Sequence, residues 1–166
     1  MRTKTAAMAV LGCVVLALGV AAPAALGLEE TANPKKEYVD QAEPICKTNV
    51  LANRRIFKGA KDEVRQGELK RASTHFFRAA KAFAKTVEQL NTIPKPPEYT
   101  TALNKWFGLL RNEKSIIEKI GRALAAEDKR KAENVSVELN RNSNKANNAV
   151  LGWGFNYCRI EPSRFG

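Results

Sequence analysis

Between residues 36 and 152 the apolar side chains of this chain recur three and four positions apart, and no stretch sustains the period-two alternation of a half-buried strand. That pattern limits the fold to amphipathic helices, each of which must bury one stripe against another helix. Four stripes can be traced. The first covers about residues 36–66, with Tyr38, Ala42, Ile45, Asn49, Ala52 and Ile56 on one face. Pro44 interrupts it. Proline suits a first turn and disturbs an interior, so this helix is expected to start near Glu43 or to bend there, with Gly67 as its stop. The second, about residues 68–91, aligns Leu69, Ala72, Phe76, Ala79, Phe83, Val87 and Leu90. The third, about residues 97–126, carries Leu103, Trp106, Leu110, Ile117, Ile120 and Leu124; the fourth, about residues 128–152, carries Ala132, Val135, Leu139, Ala146 and Val150.

The segment TIPKPPEY cannot continue a helix and separates the second stripe from the third. Between the third and fourth, AAEDKRKAE offers only Asp128 as a cap. Four long helices with short connections predict an all-α, up-down-up-down four-helix bundle spanning residues 36–158, preceded by a short linker (28–35) and followed by a short tail (159–166). In that topology the start of helix one and the end of helix four lie at the same end.

The first 27 residues have the form of an export signal: Arg2 and Lys4, an apolar run over residues 6–26, and small residues closing at Gly27. Cleavage is expected after Gly27, with Ala22-Pro23-Ala24 a second site; an uncleaved anchor through residues 6–28 is the alternative. Cys13 lies inside the apolar run and reads as part of it. A secreted or extracytoplasmic chain then keeps two cysteines, Cys46 and Cys158, whose only internal pairing is with each other. Closing a loop of about a hundred residues would remove unfolded-state entropy worth roughly 4–5 kcal/mol. The alternative is a pair of buried free thiols acting as small hydrophobes.

The segments YVDQAEPICKTNV, LAAEDKRKAENV and ANNAVLGWGFNYC resemble a group of small exported all-helical proteins of actinobacterial type, which have one cysteine near each end of the mature domain. In the resemblance Cys46 and Cys158 match the two family cysteines, Ala146-Asn147 the late Ala-Asn step, and Gly154-Phe155 the closing turn. The resemblance implies a helical fold and export, and it implies no activity.

The side-chain inventory argues against an enzyme. His75 is the only histidine, and both methionines, Met1 and Met8, lie in the leader. Two-ligand haem axial sets from histidine and methionine, Glu-x-x-His metal pairs, a nucleophile elbow and phosphate-binding glycine loops all lack their residues. No cofactor is expected. His75 reads as a residue at the margin of the core, with a lone haem or metal ligand as the alternative. Phe76, Phe77, Phe83, Trp106, Phe107 and Trp153 read as core, with the lining of an apolar cavity as the alternative. Five asparagines in LNRNSNKANN predict a polar exposed face, although Asn142 falls near the apolar stripe and could bond inside the bundle. Asn134-Val135-Ser136 has the form of a glycosylation sequon and is treated as chance.

Positive charge is the strongest pattern outside the stripes. Lys and Arg outnumber Asp and Glu 28 to 17, and residues 47–85 hold 11 basic against 3 acidic residues. Arg54, Lys58, Lys61 and Arg65 recur along one face of the first expected helix, and Arg71, Arg78, Lys81 and Lys85 along one face of the second. The leading expectation is a non-enzymatic, exported binding module that uses this basic face on an anionic envelope component: lipid headgroups, a wall polymer or an acidic protein. Nucleic acid ranks lower, because no recognised nucleic-acid motif is present. The alternative function is carriage of an apolar ligand or haem between the helices. Oligomeric state is not encoded in any pattern found here.

Overall fold

The computed structural model describes residues 33–162. The expected leader and its cleavage site fall outside the described residues. Among these there is no strand: the chain forms α1 (Pro34–Ile56), α2 (Ala60–Arg65), α3 (Leu69–Asn91), a 3-10 turn (Pro97–Tyr99), α4 (Thr100–Ala125) and α5 (Lys129–Ala149).

The first expected helix differs at both ends. It begins at Pro34 rather than near Glu43, because the Asn33 side chain accepts from the Lys36 amide and Pro34 occupies the first turn, where its missing N–H costs nothing. Pro44 is carried inside α1 on its exposed side. The stripe Tyr38, Ala42, Cys46 and Val50 is buried on both sides of that interruption, and this burial holds the helix through it. At the other end the expected single helix is two. Gly59 adopts φ 87°, a left-handed conformation that ends helical continuation, and α2 restarts at Ala60. An added Cβ at Gly59 would meet nothing within 4 Å, so the dihedral and not crowding calls for glycine here.

This corner is fastened to α3. Phe57 and Phe76 meet edge to face at 5.0 Å, the Ile56 carbonyl lies against His75 Nδ1, and Glu63 Oε2 is 3.0 Å from His75 Nε2. At the α4–α5 turn the Asp128 amide bonds to Ala123 O and the Glu127 amide to Leu124 O, the Schellman arrangement, with Glu127 at φ 59° where glycine is usual. Asp128 then caps α5 by accepting from the Lys131 amide.

α1 and α2 pack on α3, α3 packs on α4, and α4 packs on α5; among the described residues α1 and α5 do not pack along each other. The buried side chains form two clusters. The larger joins Tyr38, Leu90, Leu103, Trp106, Phe107, Trp153 and Phe155 with Cys46 and Cys158, and the smaller joins Leu69, Ala72, Ile120, Ala123, Leu124 and Ala132.

Beyond α5 the chain folds back over the larger cluster. Gly152 and Gly154 both have positive φ, which lets Trp153 and Phe155 enter the core side by side, their rings stacked 5.8 Å apart and Phe155 stacked in turn on Trp106 at 5.4 Å. Cys46 and Cys158 form the expected disulfide, with Cα atoms 5.0 Å apart. A second tie lies one turn away, where the Glu43 carboxylate accepts from the backbone amides of Asn156, Tyr157 and Cys158 at 2.9, 2.9 and 3.2 Å. Asn147 exchanges two 2.8 Å bonds with the backbone of Ile160.

Candidate functional site

Because α1 and α5 are held apart, the space between the helices is not closed by side chains. A cavity of about 620 Å³ runs from the disulfide to α2. Its α3 wall extends from Leu90 to Phe76 and its α4 wall from Trp106 to Ile120, a length of about 21 Å at the helical rise. Val50 of α1, Phe57 just after it, Ala60 and Val64 of α2, and Leu139 of α5 complete the apolar lining; Tyr157, Ile160 and Pro162 close the disulfide end. The volume falls within the roughly 300–1,000 Å³ usual for small-molecule sites, and the walls share their apolar character with a few placed polar groups.

The principal polar group is Glu113, which is 1 % exposed and lines the cavity from α4. Burial pushes its carboxyl above the ordinary range, while hydrogen bonds donated by Ser143 and Asn142 act in the opposite direction. Asn142 also accepts from Asn112 at 2.7 Å and donates to Leu109 O at 2.9 Å, so its side chain is saturated inside the fold. Of the two readings given for Asn142, bonding inside the bundle therefore holds, while Asn147 is half-buried and bonds to the Ile160 backbone of the closing segment. A polar side chain turned inward at the α4–α5 contact finds partners there, which outweighs solvation of one more amide.

Two other lining residues carry buried polar atoms with no partner: Asn53 Oδ1 on α1 and Trp106 Nε1 on α4. Tyr38 also has an unpartnered hydroxyl, and burial pushes its phenol up to about 12, but it belongs to the core rather than to the cavity.

The aromatic residues take both roles expected of them. Phe107 and Trp153 are core only, Phe83 and Trp106 belong to the core cluster and also line the cavity, Phe76 lines it too, and Phe77 is exposed. His75 is not part of the lining, and each ring nitrogen already faces an acceptor at the α1–α2 corner. Among the described residues no group of three or more His, Cys, Asp and Glu side chains is placed to hold a metal ion.

Arg54, Lys58, Lys61, Arg65, Arg71, Arg78, Lys81 and Lys85 are all exposed. The expected continuous stripe on helix one is corrected by the break at Gly59: Arg54 is on α1, Lys58 in the turn, and Lys61 and Arg65 on α2. Arg71 is engaged by Glu63 at 3.2 Å and Glu68 at 2.9 Å, and Arg65 by Asp62 at 3.1 Å. Only Lys61 and Arg65 of the eight line the cavity.

Glu113, Ser143 and Glu43 were not singled out by sequence reasoning. A signal for the first two was present: the α4 stripe skips from Leu110 to Ile117 and the α5 stripe from Leu139 to Ala146, and Glu113 and Asn142-Ser143 fill those two gaps facing each other. No family model matches this chain, and no curated protein or solved structure is significantly similar to it.

Proposed function

We propose that this protein is an exported, non-enzymatic carrier that holds an elongated apolar ligand between its helices. The reading takes the four long helices as an up-down-up-down bundle opened along the α1–α5 seam. The observation that carries it is the half-open cavity of about 620 Å³ lined mostly by apolar side chains, since apolar wall left facing water gains by covering it with an apolar ligand. Export is supported by the Cys46–Cys158 bridge, which suits an oxidising compartment; among the described residues no helix is long and apolar enough to cross a membrane.

A second role, adhesion to an anionic envelope component, is supported by the exposure of all eight basic side chains and is compatible with carriage. Carriage is tested with a neutral apolar fluorophore, 1-N-phenylnaphthylamine, whose emission rises on leaving water. Saturable, one-to-one enhancement is expected. Ala79→Phe, which adds a ring at a buried lining position, should lower the affinity at least tenfold while circular dichroism stays helical. Absence of saturable binding in the parent protein would remove the carrier reading.

A further inference from the structure

The charged residues of the cavity wall are unevenly placed. Glu113 lies at mid-length, buried and hydrogen-bonded within the wall, and Arg159 stands at the disulfide end. The α2 end has two cations, Lys61 and Arg65. They recur four apart on the same short helix that presents Ala60 and Val64 to the cavity, so α2 places an apolar surface and a cationic edge side by side at one mouth. Asp62 pairs with Arg65, which leaves Lys61 without an ion pair among the described residues, and Arg54, Arg55 and Lys58 stand nearby in sequence with no further acid before Asp62. Glu63 completes the charges of α2 and is engaged by Arg71 and His75, so α2 itself is neutral and the positive excess around this mouth comes from Arg54, Arg55 and Lys58, which precede it.

The space behind this mouth is long, narrow and apolar. At about 21 Å it exceeds the roughly 15 Å that one leaflet contributes to a bilayer's hydrocarbon core, so one extended acyl chain fits lengthwise. Resting on the carrier reading, we infer that the ligand is a single-chain amphiphile with an anionic headgroup, its alkyl chain between α1, α3 and α4 and its headgroup at Lys61 and Arg65. A cationic amphiphile would meet repulsion from the basic side chains at this mouth, and a neutral one would leave Lys61 without a counter-charge. The alkyl chain supplies affinity through burial, and the mouth supplies selection and orientation.

The test is competition against 1-N-phenylnaphthylamine by four ligands of one chain length: palmitic acid, hexadecyl phosphate, hexadecanol and hexadecylamine. Both anions are expected to displace the probe at least tenfold more effectively than hexadecanol, with hexadecylamine weakest. A larger advantage for one of the anions identifies a carboxylate or a phosphate source. Lys61→Glu with Arg65→Glu should bring palmitic acid down to the level of hexadecanol without changing the affinity for the neutral probe. Lys81→Glu with Lys85→Glu alters net charge equally at exposed positions away from the cavity and should keep the tenfold preference. If the mouth variant does not fold, salt decides on the parent: the preference for palmitic acid should shrink as ionic strength rises. Equal displacement by palmitic acid and hexadecanol, a preference that survives salt, or equal loss in both double variants would overturn the headgroup assignment while leaving apolar carriage intact. Failure of the probe itself to bind would instead strike the carrier reading.

Discussion

The two ends of the helical domain solve the same packing problem with different materials. At the disulfide end, Trp106, Phe107, Trp153 and Phe155 interlock with Tyr38 and Leu103, and the closing segment is held by the disulfide, by Glu43 and by Asn147. At the α2 end the cluster consists of Leu, Ile and Ala, and both chain reversals there use left-handed residues, Gly67 after α2 and Glu127 after α4. The bonds joining the two reversals lie at the surface, as in the 3.0 Å pair between Lys70 and Glu127, whose side chains are mostly exposed. One end is thus held covalently and by a large aromatic cluster, and the other by smaller apolar side chains, short turns and the Phe57–Phe76 and Glu63–His75 contacts that fasten α2 to α3. On the proposed carrier reading, the α2 end is the one expected to open.

The difference can be broken at its strongest point. Cys46→Ser with Cys158→Ser should lower stability by about 4 kcal/mol at most in urea titration, while far-ultraviolet circular dichroism remains helical, because the lost bridge acts mainly on the unfolded chain. A loss below about 1 kcal/mol would mean that Glu43 and the aromatic cluster alone hold this end.

An intermediate effect is expected between the two ends, at Glu113. Its folded carboxyl binds a proton more tightly than the unfolded chain does, so the native state carries the extra proton between the two pKa values. The associated stability is present in full below the ordinary carboxylate range and is lost as pH rises through the raised folded value. Glu113→Gln should be flatter with pH across that window and more stable than the parent above it, as read from thermal melts at a series of pH values. Identical pH profiles would show that Glu113 titrates normally and that the cavity wall carries a charge.

The smallest effect belongs to the α2 end. Glu127→Gly should raise stability by about 1 kcal/mol, since glycine accepts the left-handed C-terminal position and the exposed ion pair to Lys70 contributes little. A destabilisation would show that the Lys70 pair holds this end more firmly than its exposure suggests.

The helices were legible because their stripes are long. Residues 68–91 and 97–126 were expected to be helical, and the structure has Leu69–Asn91 and Thr100–Ala125. The disulfide was legible because two cysteines allow one pairing. The break at Gly59 was not, since a lone glycine in a helical pattern signals a weak point and not a restart. Nor was the cavity. Periodicity states which residues turn inward, and Phe76, Phe83 and Trp106 do so, but whether inward residues meet depends on the separation of α1 from α5, which no local pattern encodes. The basic residues were recognised as a group; that α2 would bring only Lys61 and Arg65 to the cavity followed from the unforeseen break.

The Cys46–Cys158 bridge joins positions 112 residues apart, and that separation sets an order in time. A chain made from its N-terminus presents α1 long before Cys158, so Cys46 must wait unpaired, with Tyr38 and Ala42 only partly covered by earlier helices, until Trp153 and Phe155 arrive. Among the described residues Cys46 has no cysteine to pair with except Cys158. The hazard is a neighbour: a second chain at the same stage offers an identical exposed thiol, and high local concentration favours linked dimers over closed monomers.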